Sequence, residues 1–288
     1  MKKLAYNIHD TINSGQVFLW QNHENVWFGI DGQNIIQISH KPSQTVILSK
    51  KARNFLRDHD DYSKIVKSIS KDKIVKKAIK HAPELRITRQ DPFQCYISFI
   101  ASANSNIVKI RMCLEKLCRR FGTKIQFKNK DFFLFPKPQS LADATLQELQ
   151  SCGLGYRSSY VMDASRAVLS GEINFNFLKK TDYQTAKESL VKIPGIGNKV
   201  ADCIMLYSLE KLEAFPLDVW MLKILEKYYS DKFDIDTKTI TPRKYDMIHQ
   251  KAVDYFGSHA GYAPVSYTHL RAHETREDRG WRRGGGKK

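Results

Sequence analysis

The chain has 288 residues, 42% of them hydrophobic and 11% aromatic, which excludes a disordered polypeptide and leaves room for a substantial core in one or two domains. No apolar run approaches the ~20 residues needed to cross a bilayer, and the start, MKKLAYNIHDTINSG, has no apolar stretch behind its lysines, so neither a membrane span nor a signal peptide is read. The formal net charge of +17 favours a polyanionic partner, nucleic acid first.

In chain order, the first 50 residues read as β-rich. VWFGI (26–30) and NIIQIS (34–39) are strand-like runs around the turn dipeptide Asp31-Gly32, and TVILS (45–49) follows. From residue 52 the apolar spacing turns helical, as in SKIVKSISKDKIVKKAIKHA (63–82). Residues 91–122 predict two helices with a polar break at Asn104-Ser105-Asn106, the second stopping at basic residues and Gly122. Residues 141–169, the segment KIPGIGNKVADCI (192–204) and DVWMLKILEKYY (218–229) are also helical in period, and no internal repeat is present. The pattern predicts an α+β protein: an N-terminal twisted antiparallel β domain over 1–88, then an all-helical body over 89–263. Five cysteines (Cys95, Cys113, Cys118, Cys152, Cys203) form no CxxC pair and read as free thiols in a reducing compartment.

Residues 264–288 break this order. They show no helical or strand period and end in glycines and lysines. They supply +4 of the +17, so residues 1–263 stay basic without them. A basic arm for nucleic acid is one reading. The favoured one is different: SYTHLRAHET resembles translated sequencing-adapter DNA. On that reading, 264–288 is a non-native, disordered tail.

The turn Ile193-Pro194-Gly195-Ile196-Gly197 lies between two helical stretches and looks like a helix-hairpin-helix over 184–210. Gly195 and Gly197 permit a tight turn and close backbone approach. The second helix then offers unpaired N–H groups and its dipole to a DNA phosphate. The plainer reading is an ordinary interhelical turn. Lys199 stands at the start of that second helix, an unfavourable place for a cation. Alone it reads as a phosphate contact or a solvated side chain. Asp218, nineteen residues on, reads alone as an N-cap. Together they suggest an amine nucleophile that forms a Schiff base on a sugar carbon, with a carboxylate as electrostatic partner.

Four blocks carry a closer resemblance: INSGQVFLW (12–20), RQDPFQCYISFIASANSNIVKI (89–110), GLGYRSSYV (153–161), and IPGIGNKVADC through FPLDVW (193–220). In order and spacing they resemble the 8-oxoguanine DNA glycosylase/AP lyase family of the helix-hairpin-helix-GPD superfamily, over residues 5–263. The resemblance implies a role for each matching residue. Lys199 would attack C1′ and displace the damaged base, and β-elimination would follow. Asp218 would stabilise the cationic sugar. The carbonyl of Gly15 would accept the N7 hydrogen that 8-oxoguanine has and guanine lacks, and Cys203 would line the base pocket. Asn104 and Tyr156 would fill the gap and wedge the stack when the nucleotide flips out. Arg157 would contact the orphaned cytosine. Each has a plain rival: a strand bend at Gly15, a helix cap at Asn104, an exposed helix start at Tyr156 and Arg157, a small core residue at Cys203.

Three positions depart from the family pattern. Lys109 stands where an arginine is common beside the orphaned cytosine, and lysine has no bidentate fork. Trp220 replaces a histidine of some relatives and suggests a bacterial type. Pro264 occupies the place of a glutamine that reads the flipped base.

The sequence thus predicts a bifunctional DNA N-glycosylase and AP lyase of base excision repair. It would act as a monomer on double-stranded DNA containing oxidised guanine opposite cytosine, in a bacterial cytoplasm on nucleoid DNA. Excision would be impaired by the C-terminus. Endonuclease III-like and adenine glycosylases commonly carry a four-cysteine iron–sulfur cluster beyond the hairpin, and no cysteine follows Cys203, so no cofactor and no metal are expected. A non-catalytic hairpin module is the other alternative, and Lys199 with Asp218 speaks against it.

Overall fold

The structure, a computed structural model, describes residues 6–39, 49–233 and 240–267. Its elements in order are α1 (Ile8–Asn13), β1 (Trp20–His23), β2 (Val26–Asp31), β3 (Asn34–Ser39), α2 (Lys50–Phe55), α3 (Tyr62–Ile69), α4 (Lys73–His81), α5 (Pro92–Ala101) and α6 (Ile107–Phe121). Then come β4 (Lys124–Phe127), β5 (Lys130–Phe133), α7 (Pro138–Ala142), α8 (Leu146–Ser151), α9 (Arg157–Leu169), α10 (Phe175–Lys180), α11 (Tyr183–Val191), α12 (Asn198–Ser208), α13 (Val219–Phe233) and α14 (Pro242–Phe256).

The first three strands form an antiparallel sheet in the order β1-β2-β3. Its β2–β3 register, with Ile30 opposite Ile35 and Asp31 opposite Asn34, is set by the turn at Gly32. The expected strands at 26–30 and 34–39 are therefore present. The segment TVILS lies outside the described residues but for Ser49, which caps α2 through its side chain. Helices α5 and α6 flank the expected polar break, Asn106 caps α6, and α6 stops at Gly122. The helical body holds one feature that the periodicity does not announce, the hairpin β4–β5. Its turn residues Lys128 and Asn129 both have positive φ, the conformation that suits a tight hairpin, but they lack the Asn-Gly or Asp-Gly signature.

An apolar cluster under the sheet joins Ile8, Ile12, Trp20, Trp27, Ile36, Ile38 and Phe55. The joint to the helical body is polar, buried at Gln94 and half-buried around it. Gln94 on α5 donates Nε2 to the carbonyl of Ile30 at 2.8 Å and accepts from the Gly32 N–H at 2.8 Å. Asp31 accepts from the Asp91 N–H at 2.7 Å, and Glu210 bridges Arg57 (2.7 Å) and Arg89 (2.8 Å).

Burial pushes the Asp31 carboxyl up from 3.8 to about 7, against the pull of the Asp91 N–H. The unfolded chain releases this proton near its ordinary value, so between the two values the folded state holds more protons, and stability falls as pH rises through that window. The melting temperature is therefore expected to drop between about pH 4 and about pH 7, and Asp31→Asn to flatten part of that slope. An unchanged slope in the variant would remove Asp31 from this account.

The C-terminus departs from the expected edge at 263. Residues 262–267 are helical. Pro264 sits in the first turn, where a missing N–H is tolerated. Val265 and Tyr267 are buried at 2% and 1% exposure, and the Tyr267 and Tyr229 hydroxyls are hydrogen-bonded. The first four residues of the expected tail thus belong to a helix and pack; 268–288 lie outside the described residues.

Candidate active site

A cleft of about 920 Å³ opens between the loop after α1, the start of α6, the face of α12, the start of α13 and residues 264–267. Five of the ten sequence-predicted residues line it: Gly15, Lys109, Lys199, Cys203 and Asp218. Asn104, Tyr156, Gly195 and Gly197, in loops or at helix caps, and Arg157, the first residue of α9, do not line it.

The hairpin is held by its apolar residues. Ile193 and Ile196 are 3% and 5% exposed and anchor the turn in the core. Gly195 has φ +87°, and a Cβ there would lie 2.5 Å from the Tyr160 ring. This position needs glycine for both conformation and space. Gly197 is different. It is the N-cap of α12 without a side-chain bond, its φ is ordinary, and a Cβ would meet nothing. Its smallness leaves the first N–H groups of α12 open to an approaching anion. Gly195→Ala is expected to destabilise the protein by at least ~1–2 kcal/mol, the cost of a side chain at left-handed φ, and to weaken binding of undamaged duplex. Thermal unfolding and duplex titration check both effects.

Lys199 and Cys203 are four residues apart and so share a face of α12. Lys199 is half-buried, with Nζ 5.5 Å from the centre of the Phe99 ring. Phe99 stacks on Tyr207 (centroids 5.5 Å) and meets Phe18 edge-on (5.7 Å). These three rings all line the cleft and give it an apolar floor. Burial pushes the Cys203 thiol up to about 11, with Lys199 pulling it back and Asp218 pushing it further. Cys203 therefore lies in the electrostatic reach of both.

Asp218 precedes α13. Its Oδ1 accepts from the N–H groups of Trp220 (3.0 Å) and Met221 (2.8 Å), so the carboxylate caps the helix while it lines the cleft. The cap and the cleft-facing role coexist in one side chain. Gly15 has φ +86° with open space where a Cβ would stand, so backbone conformation and not crowding favours glycine there. The next residue, Gln16, is fully buried and fixes this loop. It donates to the Arg86 carbonyl (2.9 Å) and accepts from the Thr88 N–H (2.9 Å), and its own carbonyl accepts from Gln90 (2.9 Å).

The loop residues form a connected line. Asn104, exposed and at φ +49°, donates to the Tyr156 hydroxyl at 3.3 Å. Tyr156 is 57% exposed and meets Tyr160 edge-on, and Tyr160 packs on Gly195. Arg157 is placed differently from a free base-reading side chain. It is 9% exposed, Nε donates to the Leu154 carbonyl, and Nη1 donates to the carbonyls of Ala101 and Ala103 at 2.8 and 3.1 Å. Nη2 is the guanidinium nitrogen not engaged by these three carbonyls. Lys109 is exposed in the first turn of α6. At the C-terminal side the cleft wall is made by Pro264, Val265 and Tyr267.

The sequence profile of HhH-GPD superfamily base excision DNA repair proteins matches residues 97–248, and that of the 8-oxoguanine DNA glycosylase N-terminal domain matches residues 1–96. The chain belongs to the helix-hairpin-helix-GPD superfamily, in its 8-oxoguanine DNA glycosylase branch. A crystal structure of Clostridium acetobutylicum 8-oxoguanine glycosylase/lyase with DNA containing cytosine opposite 8-oxoguanine superposes with a TM-score of 0.84 at 29% identity, covering 94% of this chain and 93% of that one. The N-glycosylase/DNA lyase OGG1 of Arabidopsis thaliana is 26% identical over 272 residues, 88% of this chain and 74% of the relative. A probable N-glycosylase/DNA lyase of Methanothermobacter thermautotrophicus is 39% identical over 155 residues, 47% of this chain and 49% of the relative. The match to this relative thus spans about half of its length.

Proposed function

We propose that this chain removes 8-oxoguanine from duplex DNA and cuts the strand at the resulting site. The observation that carries the reading is the placement of Lys199 and Asp218 on one cleft beside the hairpin. The hairpin holds a backbone phosphate without reading sequence. Asn104 and Tyr156 occupy the gap as the nucleotide turns out, and the exposed Lys109 faces the base left behind, with only Nη2 of the tethered Arg157 beside it.

The Lys199 amine attacks C1′, and the electron pair of the C1′–N9 bond leaves with the base. The amine passes a proton to the departing base, the nitrogen lone pair expels the ring oxygen, which takes up a proton from solvent as the 4′-hydroxyl, and a protonated imine forms. Loss of a C2′ proton then expels the 3′ phosphate. Asp218 stabilises the positive charge that develops on the sugar. Gly15 and Cys203 contact the base. Pro264 has no amide with which to read a base edge, so base release is the slower half of the reaction. Five free cysteines support a reducing, cytoplasmic setting on nucleoid DNA.

Three duplexes test this reading. One carries 8-oxoguanine opposite cytosine, one is unmodified, and one has a preformed abasic site. Cleavage is expected at the first and faster at the third, with the second intact. Binding without cleavage at either modified site would indicate a non-catalytic module. Release of an oxidised pyrimidine in place of 8-oxoguanine would favour the endonuclease III-like alternative.

A further inference from the structure

We propose that Tyr245 is a positioning residue for this reaction, tying the backbone that presents Asp218 to the helix that presents Lys199. The proposal rests on Lys199 and Asp218 being the catalytic pair. Asp202 lies three residues after Lys199 on α12 and is fully buried, turned into the protein. Its carboxylate accepts from the Tyr245 hydroxyl on α14 at 2.5 Å and from the Tyr183 hydroxyl on α11 at 2.7 Å. The Tyr245 hydroxyl in turn accepts the N–H of Leu217 at 3.1 Å. Leu217 is the residue before Asp218, and Pro216 before it has no N–H to give. One oxygen atom thus links α12 to the residue adjoining Asp218. Tyr183 holds the same carboxylate but does not bond Leu217.

The surroundings keep the Tyr245 bond in place. Lys187 on α11 lies over the Tyr245 ring at 4.7 Å and pairs with Asp246 on α14. His249, also on α14, stacks on Tyr183 at 4.2 Å. Burial raises the Asp202 carboxyl, and the two hydroxyls and Lys187 oppose that rise. The buried Tyr245 and the half-buried Tyr183 therefore share one buried carboxyl acceptor. Buried networks of this kind fix one arrangement of the groups they connect.

The test compares Tyr245→Phe with Tyr183→Phe in single-turnover excision from 8-oxoguanine duplex. Each variant removes one hydroxyl from Asp202, but only the first leaves the Leu217 N–H without its acceptor. Tyr245→Phe is expected to slow excision about 10- to 100-fold, the scale of lost positioning contacts, with affinity for uncut duplex unchanged. Tyr183→Phe is expected to lose thermal stability to a similar degree while it excises within about threefold of wild type. A purely structural role predicts equal rate effects, and that result overturns the proposal. If Tyr245→Phe does not fold, Asp202→Asn carries the test: a slower rate at unchanged duplex affinity supports the proposal, and a wild-type rate overturns it. An active wild type with a fully active Tyr245→Phe sinks this proposal alone. A wild type inactive on both 8-oxoguanine and abasic duplex sinks the catalytic reading and this proposal together.

Discussion

Lys199→Gln is expected to lower strand cleavage at 8-oxoguanine by about 10³-fold or more, the scale on which loss of a covalent nucleophile acts, while binding of undamaged duplex stays within about twofold. Three features motivate this split. Lys199 faces the cleft over Phe99, on the helix face it shares with Cys203. Gln is a good helix former, so α12 survives the change. The hairpin meets phosphate through its backbone, which the substitution leaves in place. Single-turnover gels and duplex titration on the same preparation measure both quantities. Cleavage at more than about a tenth of the wild-type rate would mean that another group is the nucleophile.

The second large effect is expected from Asp218→Asn, a loss of about 10²- to 10³-fold in base release, typical of removing a group aimed at developing charge. Asp218 also caps α13 through two backbone N–H groups. Asparagine caps a helix about as well as aspartate, so stability is expected to change by less than ~0.5 kcal/mol. Asp218→Ala loses the cap as well and is expected to cost ~1 kcal/mol more. Comparing the two separates chemistry from folding. An Asn variant with wild-type excision would leave Asp218 with the cap alone.

Much of this site is legible in the sequence because local chemistry announces it. The hairpin has a proline and glycines at fixed offsets, and Lys199 and Cys203 fall on one helical face by spacing alone. The strands around Asp31-Gly32 show the same directness. Other parts depend on contacts between distant segments. Phe18, Phe99 and Tyr207 read as ordinary core residues until the fold stacks them into the cleft floor. Tyr245 comes 28 residues after the Leu217 whose N–H it accepts, and nothing local marks it. Arg157 reads as an exposed helix start, but three carbonyls draw it inward. The C-terminal turn is hidden for another reason. Its residues lack a helical pattern, yet they extend a helix already begun and fill space beside Tyr229.

The proposed reaction turns on a covalent bond between Lys199 and the sugar of the damaged nucleotide. Borohydride reduction of the wild-type chain on 8-oxoguanine duplex, followed by peptide mapping of the trapped species, tests it most directly. One stable protein–DNA adduct, located on Lys199, is expected. Strand cleavage with no trapped adduct, or an adduct on a different residue, would contradict it.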